Sequence, residues 1–240
     1  MKLHTTMACA LALAAATARP AAAQSIHDFV AWAAMMSSPY GSLAPTVTRA
    51  MAGGMATGRS SFELRYGHWA FDGESEAVHT GGIGARIGAV GIVVGYQGCS
   101  GCDGGEIIGG VDYEAIVLKR TMTADNSHSL FTLGLRPAVG IGHTVGSGGG
   151  GTAFVATMDA PIAVSVPVGK TAKMVPYISP GYGLGAVRAG DETENGTRAA
   201  LAFGVGLVDL APGLGLNLGW RKIFLEDAPM TIGIGLTFER

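Results

Sequence analysis

A chain of 240 residues with 39 glycines, 10 prolines and only 14% charged side chains is unlike an average soluble domain, where roughly a quarter of residues are charged and about 7% are glycine. The formal net charge of −2 excludes the basic balance of a general nucleic-acid-binding protein, and glycine without a Gly-x-y period excludes collagen. One domain is expected at this length.

The first 23 residues read as a secretory signal peptide. Lys2 is the basic start, residues 7–17 are an Ala/Leu-rich apolar run, and Ala21, Ala22 and Ala23 form the small-residue site that places cleavage before Gln24. Cys9 leaves with it. Loss of Lys2 and Arg19 takes sixteen basic residues to fourteen against eighteen acidic, a net of −4. No later stretch has the roughly 18 uninterrupted apolar residues of a membrane helix. For an exported, glycine-rich chain of positive mean hydropathy, a closed β-barrel is then the structure that satisfies every backbone group in lipid.

Residues 24–58 form a helical or irregular lead-in. Ile26, Phe29, Val30 and Ala33 recur at helical spacing, predicting a short amphipathic helix over 25–36 that Ser37, Ser38 and Pro39 stop. Three readings remain open for 40–58: a periplasmic lead-in, a lumen plug or a second short helix.

Residues 59–240 carry a period-2 pattern. Strands are predicted over about 60–71, 79–86, 89–97, 106–119, 130–142, 152–166, 173–187, 197–208, 214–223 and 230–240, giving ten, or eight if the 79–97 hairpin is misread. The last strand is the clearest: Met230, Ile232, Ile234, Leu236 and Phe238 alternate with Thr231, Gly233, Gly235 and Thr237. Large apolar residues on one face and tiny or hydroxylic ones on the other suit a lipid-facing exterior and a crowded interior. Pro176 and Pro180 interrupt the seventh strand and predict a bulge or a break.

If the final strand ends in the periplasm, the connections near 72–78, 98–105, 143–151, 189–196 and 225–229 face outside. They hold Asp72, Glu74, Glu76, Asp103, Asp191, Glu192, Glu194, Glu226 and Asp227 without Lys or Arg, whereas the other set carries Lys119, Arg120 and Lys170. Aromatics near strand ends predict two girdles, with Tyr96, Phe154, Tyr182 and Trp220 outside and Phe62, Phe131, Tyr177 and Phe238 towards the periplasm.

The signal peptide, alternating strands and near-terminal aromatic together resemble small Gram-negative outer-membrane β-barrels, of which the outer membrane protein A-like transmembrane domain is the nearest type. The resemblance covers roughly residues 60–240. It implies an all-β, antiparallel up-and-down transmembrane barrel and assembly by the outer-membrane insertion machinery, which reads a C-terminal strand ending in an aromatic. Phe238 matches that feature, although Glu239 and Arg240 follow it. No catalytic motif carries over.

On the predicted inner face lie Glu63, Arg65, Asp112, Glu114, Arg136, Asp159, Asn217 and Arg221. Opposite charges in a narrow lumen require partners, and small barrels are filled by side chains, so a salt-bridged, closed lumen is expected. Cys99 and Cys102 form the one cysteine pair of the mature chain, a local disulfide in an oxidising envelope. A lone CxxC supplies half a tetrahedral metal set, and the strand after it does not lower a thiolate pKa as a helix would. The glycine run 146–151 lacks the Lys-Ser/Thr ending of a phosphate loop. His68, His79, His128 and His143 sit in no nucleophile–base motif, so an enzyme is not expected. The expected partner is outer-membrane lipid, and no cofactor is expected beyond weakly bound Ca²⁺ or Mg²⁺ at the acidic outer connections. The function expected is structural or surface-interacting, with a narrow porin-like channel as the alternative; a lipid-modifying barrel or a soluble secreted β-protein ranks lower.

Overall fold

The computed structural model describes residues 26–43, 47–48, 51–52, 60–70, 77–99, 104–124, 127–145, 151–225 and 228–239. The expected signal peptide lies outside these residues. Two helices, α1 (Ile26–Met36) and α2 (Pro39–Ser42), precede β1 (Ser60–Ala70), β2 (Ala77–Ile87), β3 (Val90–Cys99), β4 (Gly105–Tyr113), β5 (Ala115–Ala124) and β6 (Ser127–Val145). There follow β7 (Gly151–Asp159), β8 (Ile162–Pro167), β9 (Lys173–Ala189), β10 (Glu192–Ala211), β11 (Leu214–Ile223) and β12 (Met230–Glu239).

These twelve segments make ten barrel strands. Both β4 and β5 pair with β6, and the register shifts only at a bulge between Ile116 and Leu118. Likewise β7 and β8 are one strand interrupted at Ala160 and Pro161, since both keep a single register against β6 and against β9. The prolines explain that interruption. Pro180 accepts a hydrogen bond from Ala160 N at 2.8 Å and Pro161 from Gly134 N at 2.8 Å, so each missing N–H faces the place where the ladder parts. Closure comes from β12 pairing with β1, with Leu64 opposite Leu236 and Phe62 opposite Phe238. Every strand thus has two neighbours, as a lipid environment demands.

Alternation sorts the side chains. On β12, Ile234 is 48% exposed while Thr231 is 1%, and the same contrast runs around the barrel. The described connections are short at the end where β1 begins and β12 finishes, with tight turns at Gly88 (φ 59) and Gly213 (φ 75). We call this the turn end and the opposite one the loop end. Three expectations about the strands need correction. Pro176 and Pro180 neither bulge nor break their own strand, since β9 keeps one register against β10 from Lys173 to Ala189 and the gap falls in its neighbour. The acidic segment 189–196 is not a loop: the β9–β10 ladder continues to Ala189 opposite Glu192, because alternating small and polar residues there still fit a pleated pair. Tyr177 is not a girdle residue. It shares parity with Val175 and Ser179 and is buried inside. Exposed Tyr96, Phe154 and Tyr182 do lie outward, and Trp220 stacks on Phe203 with centroids 5.4 Å apart.

The core lies in the lumen, where the N-terminal segment is threaded. Every side chain from Val30 to Met36 is buried, so α1 has no solvent face over that stretch and is not amphipathic there. A helix apolar all round belongs in an interior. It ends where Ser38, extended ahead of Pro39, takes over as the cap of α2, with Tyr40 N donating to Ser38 Oγ at 3.3 Å. Proline at the first helical position starts α2 and cannot extend α1.

The exterior predicts a depth-dependent penalty for charge. Ile234→Arg, central on β12, should lower the unfolding free energy in lipid vesicles by about 2–4 kcal/mol. Denaturant titration of reconstituted protein measures this, and an unchanged midpoint would place that face away from lipid.

Candidate functional site

Inside the barrel, charge is arranged as ion pairs that cross neighbouring strands. Arg86 on β2 pairs with Asp112 on β4, and Gly91 of β3 lies in register between them. A Cβ at Gly91 would stand 2.5 Å from Arg86 Nη2 and 2.6 Å from Asp112 Oδ2, so the glycine makes room for the bridge. Arg86 also reaches Glu114 at 4.0 Å, and Glu114 accepts from Arg136 at 3.1 Å. Arg221 on β11 spans β10 and β9 to meet Asp159 on β7 at 2.6 Å. Small residues in that path, Ala202 and Gly181, leave the gap it crosses. Glu63 accepts from Arg65 Nε at 2.7 Å. Four carboxylates therefore face four guanidiniums, all with little exposure.

All seven charged residues expected to line the lumen lie inside it, and so does Asn217. Arg86 and Glu106 are inner charged residues that the sequence reading missed. Arg86 stands in phase with Gly82 and Gly84 on β2, but it closes the strand, where parity is hardest to trust. Glu106 is the second residue of β4. It accepts from Gln97 Nε2 at 3.1 Å, Gln97 Oε1 accepts from Thr80 Oγ1 at 3.0 Å, and Ser37 hydrogen-bonds its carboxylate.

The N-terminal segment fills the remaining space, and inward glycines are its seat. Ala34 and the backbone of Ala31 lie against Gly185, Met35 against Gly183, and Tyr40 against Gly110 and Gly140. The Ser37 and Ser42 carbonyls come so close to Gly142 and Gly67 that a Cβ at either position would overlap them. Polar contacts then tie the segment along its length. Thr231 Oγ1 donates to Gly41 O at 3.0 Å, Val47 N to Asn217 Oδ1 at 2.8 Å, and Thr132 Oγ1 to Met51 O at 3.0 Å. Trp32 meets Trp69 edge to face, with centroids 5.8 Å apart and rings at 85°. These contacts run from α1, near the loop end, to Met51 and Ala52 beside Thr132 and Lys173 at the turn end. The segment is a plug along the barrel axis.

A ladder closed on itself, an apolar exterior and a polar, filled interior decide the class. The architecture is that of a closed, antiparallel transmembrane-type β-barrel. No protein-family model matches the sequence, and no curated protein does. Among solved structures the barrel is similar to the beta domain of the Bordetella autotransporter BrkA, at 13% identity over 75% of this chain and 98% of that one, with a TM-score of 0.46. It is also similar to Ail, the attachment invasion locus protein of Yersinia pestis, at 13% identity over 77% and 99%, TM-score 0.35. The N-terminal β-barrel domain of Pseudomonas aeruginosa OprF is 14% identical over 75% and 97%, TM-score 0.26. At these values the likenesses carry no information on role.

Other expected sites stand as follows. Cys99 is disulfide-bonded, and Cys102 lies outside the described residues. Phe238 is exposed on the outer face of the barrel at the turn end, between Phe62 and Leu214. Among the described residues, no three His, Cys, Asp or Glu side chains gather to hold a metal ion. Of the acidic connections, Asp72, Glu74, Glu76, Asp103, Glu226 and Asp227 lie outside the described residues.

Removing one partner of a buried pair leaves the other charge uncompensated. Asp159→Ala should therefore cost about 3–5 kcal/mol, read from the denaturant midpoint in vesicles. The double variant Asp159→Leu with Arg221→Met should recover most of it. Equal losses in both would mean that the pair does not govern stability.

Proposed function

We propose that the protein is a non-conducting integral barrel of the bacterial outer membrane, with a structural or surface-interaction role and no catalytic activity. One observation carries this reading: the lumen is occupied along its length by residues of the same chain, seated on glycines and flanked by closed ion pairs. A path for solutes would need that segment to leave. Ion pairs along the inner wall favour the closed state, because moving the plug exposes to solvent arginines and carboxylates that are buried and already matched. Planar-bilayer recording of the purified protein should give negligible steady current. Gly142→Leu, which places a side chain where the Ser37 carbonyl lies, should unseat the segment and produce discrete current steps. A large, steady conductance of the unaltered protein would overturn the closed-lumen reading in favour of a narrow channel.

Phe238 is the residue we assign to recognition by the insertion machinery. Its ring faces outward on the closing strand and packs on no lumen residue, so its loss should affect assembly more than the finished barrel. Phe238→Ala should lower the fraction of protein in the outer membrane that migrates differently before and after heating. Once assembled, the variant should unfold within about 1 kcal/mol of the unaltered protein, in keeping with a surface substitution.

A further inference from the structure

The outer face of β6, β7 and β9 carries a feature that the lumen does not explain. The register aligns outward residues in rows: His143, Thr152 and Arg188 at the loop end; then Ile141, Phe154 and Ala186; then Val139, Ala156 and Leu184; then Pro137, Met158 and Tyr182. Below the polar row, the outer wall is hollowed into an apolar groove of about 540 Å³, lined in part by Tyr113, Val139, Ala156, Met158, Tyr182 and Leu184. Two small residues, Ala186 and Ala156, step diagonally from the Arg188 row down to it.

The polar row brings a guanidinium, an imidazole and a hydroxyl side by side. His143 Nδ1 lies 2.9 Å from Thr152 Oγ1, which orients the ring. Arg188 Nε donates to Gly190 O at 3.2 Å, fixing the guanidinium beside its own hairpin while the Nη donors remain for a ligand. Arg188 is opposite Thr193, and Glu192 and Glu194 fall on the other face of that hairpin by alternation. The outward face thus sets the Arg188 cation opposite Thr193 rather than a carboxylate, with Asp191 in the turn at the tip of the hairpin. Guanidinium forks suit phosphate oxygens.

The spacing matches one leaflet. Six residues separate the polar row from the Pro137, Met158 and Tyr182 row, about 20 Å along a strand. At the roughly 40° tilt of such barrels this is about 15 Å of depth, half of the roughly 30 Å hydrocarbon core. We propose that this face binds one phosphate-bearing membrane lipid of the outer leaflet, with the phosphate on Arg188, His143 and Thr152 and an acyl chain descending into the groove. The inference rests on the membrane placement proposed above.

The test uses the full-length mature protein in neutral detergent, titrated with phosphatidylglycerol, phosphatidylcholine or inorganic phosphate and read by native mass spectrometry. Phosphatidylglycerol should bind as one retained copy, at least fivefold more tightly than phosphatidylcholine, and inorganic phosphate alone should not be retained. Arg188→Ala should remove that preference, and Ala156→Phe, which fills the groove, should weaken both lipids by about the same factor. Lys222→Ala removes a cation of β11 on another part of the wall, where its ammonium donates to Ala228 O, and should leave the headgroup preference unchanged. Equal binding of the two lipids, or an equal effect of Lys222→Ala and Arg188→Ala, would overturn the site. Heat-dependent gel migration of each variant separates the two failures: a protein that does not shift fails the barrel placement, while one that shifts without headgroup preference fails only this site.

Discussion

A closed ladder in lipid leaves the protein with an interior that it must fill itself. Backbone closure removes every sheet edge, but it also encloses the arginines and carboxylates that alternation sends inward. Each would be costly if left unmatched. The lumen is therefore organised around cross-strand charge pairing, and the rest follows from making those pairs reach. Gly91 and Gly181 are absences of side chain that let Arg86 find Asp112 and Arg221 find Asp159. The same shortage of bulk opens the volume into which α1 and the residues after it are laid.

The plug and the charged wall divide the lumen between them. Apolar residues of α1 and Tyr40 pack against the loop-end half, with Trp69, Val93 and Ile108. Val47, Met51, Val175 and Tyr177 form a second cluster towards the turn end. Arg136 links the ion pairs to the second cluster, donating to Glu114 at 3.1 Å and to Met51 Sδ at 3.7 Å. Polar ties to the plug are directed mainly at its backbone, as with Gly41 O, Val47 N and Met51 O. A segment with few polar side chains can be held this way without leaving its amides and carbonyls unpaired.

Outside the wall the constraints reverse. Side chains there face lipid and need only be apolar, so their shapes are free to vary, and small ones among large ones create relief. Polar groups return where the strands leave the apolar belt. The outer surface is thus specified by depth, the inner one by partner.

Much of this was legible in the residues. Period-2 alternation is a local property, so the ten strands, their two faces and the inward position of Glu63, Arg65, Asp112, Glu114, Arg136, Asp159 and Arg221 follow from sequence alone. So does the helix ending before Pro39. What the sequence could not decide is what shares the lumen with them. An apolar stretch such as residues 30–36 reads the same whether it packs in a soluble core or inside a barrel, and only closure shows which volume is empty enough to take it. Parity near strand ends is equally ambiguous, which is why Tyr177 and Arg86 were misplaced or missed. The acidic hairpin at 189–196 went unrecognised as strand because its pairing depends on register carried up from Val208 opposite Lys173. Local pattern determines which way a side chain points; the closed ladder decides what it meets there.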